Sequence, residues 1–121
     1  MEMLNAPPTV RIAVAPDRDY GMMMTQTKMV YDQLLAAQFG KLLDTIVQKK
    51  SGFDREAARI EKTTGRDKAL EYGIKAQEVL NKLQEDTVGE LRALQEDYQS
   101  KLNKLHTQLE DKWRKEHGYV K

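Results

Sequence analysis

An eleven-residue repeat of apolar side chains in the C-terminal half constrains the fold of this 121-residue chain more than any other feature. The repeat advances in steps of three, four and four residues, and Thr87 is its one polar member. Its apolar members are Leu80, Leu83, Leu91, Leu94, Tyr98, Leu102, Leu105, Leu109 and Trp113, with Ala69, Tyr72 and Ala76 one unit further back. An eleven-residue frame over residues 80–113 is apolar at nine of ten positions, whereas the best heptad frame over residues 81–112 reaches six of ten, so the eleven-residue period describes the pattern better.

Eleven residues in three turns amount to about 3.67 residues per turn, close to the 3.6 of a straight α-helix. The repeat therefore predicts a nearly straight helix with a weak right-handed supercoil. We name the nine apolar residues from Leu80 to Trp113 the eleven-residue seam. The seam is predicted to pack between chains as a coiled coil, because the rest of the chain looks too short to cover it. The alternative is an ordinary amphipathic helix packed on its own chain.

A first helix is predicted over residues 24–50. Thr25 or Thr27 can serve as its N-cap, and residues 49–52 supply late positive charge followed by a glycine. Apolar residues recur at helical spacing in two adjacent rows. The rows are Val30, Leu34 and Ala37, and then Tyr31, Leu35, Phe39, Leu42 and Ile46. A stripe this wide predicts contact with more than one neighbouring element.

A second, long helix is predicted from about residue 54 to about residue 115, a span that contains no proline. Its weak point is residues 63–65, where two threonines and a glycine lower helix propensity and predict a kink or a break. Only 7% of the residues are aromatic, so a thick globular core is not expected. The chain is therefore predicted to be an elongated all-α protein, with a helical hairpin and the repeat helix in a helical domain of residues 22–121.

Residues 1–21 are predicted to form an extended arm and a turn, because they hold all three prolines of the chain. Val10, Ile12 and Val14 share one face of an extended segment. A segment this short cannot satisfy its own backbone, and helices already use their backbone groups along the helix axis. We therefore expect the arm to dock between chains through these three side chains. Residues 16–21 have the composition of a turn.

Polar residues and charge are also arranged regularly. One polar stripe recurs every eleven residues beside the seam, at Gln84, Gln95, His106 and His117. These residues either fix register and sense pH as stacked layers or form a half-exposed flank, and the flank is favoured because buried polar layers are costly. Charge is banded, with net basic bands at residues 41–68 and 100–121 and an acidic band at residues 84–99. The bands either align neighbouring subunits or remain solvated.

Residues that carry chemistry are sparse. The chain has no cysteine, neither serine is flanked by the glycine turn of a nucleophile, and the scattered glycines spell no phosphate-binding loop. His106 and Glu110 lie four residues apart and could form half a metal site, but no further ligand is specified. We therefore expect no enzymatic activity, no cofactor and no metal.

Targeting and membrane signals are not expected either. An acid at Glu2 and prolines at Pro7 and Pro8 do not fit a secretory signal, and polar residues interrupt the most apolar window, residues 29–47. An intracellular or virion location is favoured on these grounds.

These features favour a non-enzymatic structural or assembly subunit of a larger complex, with copies of itself or sister subunits as partners. Virion internal or connector proteins, secretion-apparatus stalks and cytoskeletal linkers share this build. One alternative is a nucleic-acid-contacting assembly protein, although the net charge is only +1. Its phosphate-facing band would be Lys49, Lys50, Arg55, Arg59, Lys62, Arg66 and Lys68. The other alternative is a small helical adaptor that folds alone as a hairpin and binds one protein partner.

Overall fold

The computed structural model describes residues 6–13 and 18–118. It contains two long helices, α1 (Arg18–Thr63) and α2 (Arg66–Glu116). No strand occurs among the described residues. The predicted all-α class is therefore confirmed.

Helix α1 is longer than predicted at both ends. It begins at Arg18, so the predicted turn is wrong from that residue onward, while residues 16 and 17 lie outside the described part. Asp19 in the first turn favours this start, because a negative charge stabilises the positive end of the helix dipole. The predicted end at residue 50 is also wrong, since α1 continues to Thr63.

Local interactions carry α1 through the predicted end. The Lys50 ammonium lies 3.2 Å from the Asp54 carboxylate, one helical turn ahead, and this ion pair spans Gly52. A glycine inside a helix costs only about 1 kcal/mol relative to alanine. Phe53, the next residue, packs its ring against the Tyr72 ring of α2 at 6.3 Å between centroids. A modest propensity penalty is outweighed by this packing.

The chain reverses at Thr64 and Gly65, inside the stretch where the sequence predicts a kink or a break. Gly65 has a φ of +115°, which side chains other than glycine rarely adopt. Its amide donates to the Ile60 carbonyl at 3.1 Å and closes α1. Its carbonyl accepts from the Ala69 amide at 3.2 Å and opens α2. One glycine thus serves as the end of one helix and the N-cap of the next.

The described residues form two compact units, and the first comprises residues 38–90. Here the second half of α1 runs antiparallel to the first half of α2, and the Phe53–Tyr72 ring contact lies close to the turn. The buried residues of this unit are Ile46, Ala76, Leu80, Thr87 and Val88. The unit is a two-helix hairpin with a thin core.

The second unit comprises residues 6–37 and 91–118 and therefore contains the described arm. Its core cluster is Val10, Tyr20, Met24, Leu35 and Leu102. Tyr31 and Tyr98 stack above this cluster, with ring centroids 4.7 Å apart and an interplanar angle of 11°. The arm thus contributes a core residue to a three-layer arrangement with both helices.

In each helix, one set of buried positions recurs every eleven residues. In α2 they are Leu80, Leu91 and Leu102, which are 6%, 1% and 0% exposed. In α1 they are Met24, Leu35 and Ile46, which are 1%, 0% and 6% exposed. The other residues of the eleven-residue seam, Leu83, Leu94, Tyr98, Leu105, Leu109 and Trp113, are half-buried.

The seam therefore packs within the chain, deeply at Leu80, Leu91 and Leu102 and partly at its other six members. Helix α1 is long enough for this packing, because it has 46 residues and carries the matching period. Packing of the seam between chains, as an assembly surface, stays a prediction.

Candidate interaction surface

The arm docks on the helices of its own chain through side chains that imitate a β-ladder. The Gln99 amide group bonds Arg11 in both directions: the Arg11 N–H donates to Oε1 at 2.8 Å, and Nε2 donates to the Arg11 carbonyl at 2.9 Å. One turn earlier, Gln95 Nε2 donates to the Thr9 carbonyl at 2.6 Å. From α1, Asp32 Oδ1 accepts from the Val10 N–H at 2.9 Å. A primary amide offers one donor edge and one acceptor, as a neighbouring strand would.

The backbone of the arm thus finds hydrogen-bond partners in its own chain, where none was expected. Helix backbones do not supply the missing partners, but Gln95, Gln99 and Asp32 do so with their side chains. Docking therefore needs no second chain. Val10 is the anchor at 1% exposure, whereas Ile12 is 36% exposed and Val14 lies outside the described residues. Any additional contact of the arm with another chain stays a prediction.

The polar stripe is partly explained by the same unit. Gln95 holds the arm, and His106 contacts Tyr20. His117 is exposed and stacks on Trp113, with ring centroids 4.4 Å apart. The predicted stripe contains Gln95 but did not assign it to the arm. Gln99, the other glutamine that bonds the arm, was not predicted to have a role, although it lies one turn from Gln95 on the same helix face.

A second contact fixes the start of α1. The buried Tyr20 hydroxyl donates to the His106 carbonyl at 2.6 Å and lies 2.5 Å from His106 Nδ1. His106 Nε2 lies 3.2 Å from Glu110, which also pairs with Arg114. Burial, and then the Glu110 charge, raise the pKa of Tyr20 above its ordinary 10.0. The phenol therefore stays protonated and acts as an anchor.

The polar groups of this cluster bond one another. Tyr20 is only 6% exposed and contacts His106, and His106 in turn contacts Glu110. Across the described residues, no group of three or more histidine, cysteine, aspartate or glutamate side chains could hold a metal ion. The pair His106 and Glu110 is thus an intrahelical contact here.

The surface that remains unexplained is the outer face of α1, which we define as Met22, Met23, Met29, Val30 and Leu34. Each of these side chains is about half exposed. From Tyr20 to Gly40, α1 carries only two charged residues, Lys28 and Asp32, and they pair with each other. Large exposed apolar patches without charge mark interaction sites on soluble proteins.

The row Val30, Leu34 and Ala37 of the predicted wide stripe lies on this face, while the row containing Tyr31 and Leu35 packs inward. Methionines enlarge the face: four of the six in the chain lie between residues 22 and 29, and three of those four are exposed. Methionine is unbranched and adapts to irregular partner surfaces. The sequence analysis did not predict that these methionines form a surface. The feature that indicates such a surface is the long interval of α1 with almost no charge.

An open groove of about 620 Å³ adjoins the outer face at Met22. It runs between the arm and the first turns of α1, and among the described residues of its lining Arg18 is the charged one. The other lining residues are Ile12, Ala13, Gly21, Thr25 and Gln26. The described part of the arm, residues 6–13, therefore borders the outer face without covering it.

Neither helix, over its described residues, has a stretch that is long and apolar enough to cross a bilayer. Comparison of the chain with protein-family models, with curated proteins and with solved structures finds no match.

Proposed function

We propose that the chain is a non-enzymatic assembly subunit that enters a larger complex through the outer face of α1. The observation that carries this proposal is the pairing of five half-exposed apolar side chains with an almost complete lack of charge. Virion connectors and secretion-apparatus stalks are examples of such complexes, by analogy of build alone.

Energetics favour a partner on this face. Full burial of a large apolar side chain contributes roughly 1.5–3 kcal/mol, so five half-exposed ones offer about 4–7 kcal/mol before the costs of association. No charge must be desolvated within the face, because Lys28 and Asp32 lie beside it. They pair with each other, and Asp32 also accepts from the Val10 N–H of the arm. Binding can therefore proceed without the penalty of burying ions.

The adaptor alternative would use the same outer face of α1. It differs from the assembly proposal in that the chain would bind a single protein partner. A chain whose seam is covered internally can fold alone, as that alternative requires. The nucleic-acid alternative has weaker support. Lys50, Arg59 and Lys68 of its basic band pair with acids one turn away, at distances of 3.2 Å for Lys50–Asp54 and 3.5 Å for Lys68–Glu71. Paired cations attract phosphate less strongly.

The test compares two valines of equal exposure on different helices. Val30 on the outer face is 53% exposed and Val79 on α2 is 52% exposed. In cells that naturally produce the protein, we expect wild type and Val79→Glu to elute in a complex far larger than the 14.0 kDa chain, and Val30→Glu to elute as free chain. Equal elution of all three proteins would contradict the proposal.

A further inference from the structure

We infer that the outer face of α1 binds the same face of a second copy, with the two α1 helices antiparallel and Val30 on the two-fold axis. This inference rests on the proposed function and names the first partner of that surface. It follows from the order of residues along one exposed helical row and from the charges at its ends.

The row is symmetric about its centre. Its steps are four, three and four residues on each side of Val30, and all seven members are exposed. They are Asp19, Met23, Gln26, Val30, Leu34, Ala37 and Lys41. Two copies related by a two-fold axis must present the same patch to each other. In an antiparallel pair centred on Val30, every member of this row therefore faces another member.

The facing residues are complementary in size. Val30 meets Val30 of the other copy, and the long Met23 meets the small Ala37. Gln26 faces Leu34, against which it lays its methylene groups while its amide reaches solvent. Large residues opposite small ones allow two helices to approach closely.

The charges at the ends of the row select the antiparallel direction. Asp19 and Lys41 are exposed, and neither has an ion-pair partner within the described residues. An antiparallel pair brings Asp19 of each copy to Lys41 of the other, which gives two ion pairs. A parallel pair would instead set like charge against like charge, which is unfavourable.

The charges of the face suit a second copy better than a lipid surface. A membrane surface is a poorer occupant, because an interfacial helix is flanked by many basic residues and this face has only Arg18 and Lys41 at its ends.

The first experiment is sedimentation equilibrium of the purified full chain. We expect a reversible dimer of twice the 14.0 kDa chain mass. Val30→Glu should weaken it about 100-fold, because two carboxylates meet at the axis, while Val79→Glu should leave it unchanged. Circular dichroism of both variants checks that the helices are intact. A wild-type monomer at all concentrations, or equal effects of the two variants, overturns the inference.

The second experiment tests the register. The chain has no cysteine, so Val30→Cys introduces a unique thiol, and mild oxidation should link two copies through it. Val79→Cys is the matched control and should link at a much lower rate. Asp19→Lys and Lys41→Asp should each weaken the dimer about tenfold, and the double variant should restore it. Equal linking of both cysteine variants, or no restoration by the double variant, overturns the antiparallel register.

These outcomes separate the inference from the proposed function. If the purified chain is a monomer while Val30→Glu is still lost from the native complex, self-association is wrong and the assembly role stands. If purified Val30→Glu fails to dimerise but enters the native complex normally, self-association stands and the proposed entry route is wrong. Binding of the monomer to lipid vesicles through this face would overturn the inference in favour of a membrane surface.

Discussion

Removal of the Gln99 side chain should release the arm while leaving the two helices folded. Gln99→Ala deletes the two hydrogen bonds with the Arg11 backbone and leaves the Gln95 and Asp32 contacts in place. Each hydrogen bond contributes about 1 kcal/mol net, so the docked arm should lose about 2 kcal/mol. The equilibrium constant for arm opening should then rise about 30-fold.

Amide hydrogen exchange measures this opening at the bond concerned. The Arg11 amide donates to Gln99, so its exchange should accelerate about 30-fold in the variant, and the melting temperature of the helices should change little. Gln108→Ala is the control, because Gln108 is an exposed glutamine of the same helix that does not bond the arm. Unchanged protection of Arg11 in Gln99→Ala, or equal acceleration in the control, would refute the ladder described for the arm.

Further substitutions test a glycine inside α1, the turn, the core and the first turn of α1. Gly52→Ala should stabilise the fold by about 0.5–1 kcal/mol in chemical denaturation, since the site is helical and open, whereas Gly65→Ala should destabilise it by about 1 kcal/mol because of its positive φ. Leu102→Ala should cost about 2–5 kcal/mol in the same assay, while Lys104→Ala, at an exposed position, should stay within about 0.5 kcal/mol. The raised pKa of Tyr20 means that its stabilising effect is complete below pH 10.0 and is lost as pH rises through the folded-state pKa. Alkaline denaturation of Tyr20→Phe should therefore show a shallower loss of stability above that pH, and identical profiles for both proteins would contradict the role of the buried phenol.

The eleven-residue period of α2 could be predicted from the sequence because the apolar residues of the repeat are those that the helix buries. Leu80, Leu91 and Leu102 are deeply buried, as the pattern indicates. The pattern identifies which face is covered but carries no information on what covers it. The matching period of α1 could not be predicted in the same way. Its buried positions, which include Met24 and Tyr20, lie beside an exposed row that is equally apolar, so hydrophobicity does not distinguish the two.

The end of α1 was predicted wrongly because local helix propensity and tertiary packing have opposite effects near Gly52. A basic run followed by Gly52 resembles a C-cap, but its cost is small beside the Phe53–Tyr72 contact. Gly65, in contrast, stands where the chain reverses, and it adopts the positive φ that the reversal requires. Sequence alone cannot weigh a glycine against a partner that lies nineteen residues further along the chain, as Tyr72 does from Phe53.

The hydrogen-bond partners of the arm could not be predicted, for a different reason. Val10 was identified as an anchor by alternation, and it is buried. Asp32 and Gln99 hold the backbone of the arm. Nothing in the sequence marks them for this role, because it depends on which residues lie opposite them in three dimensions. Such pairings require the docking of both helices to be known first.

The shared period of the two helices limits how the length of this chain can change. Eleven residues span three helical turns and rotate the next residue by only about 20° relative to the start, so equivalent side chains return to the same side of the helix. Insertion or deletion of eleven residues in α1 together with eleven in α2 would add or remove one complete set of interlocking layers. A change of one or two residues would instead turn everything beyond it by roughly 100° per residue and carry Leu35 or Leu91 into solvent.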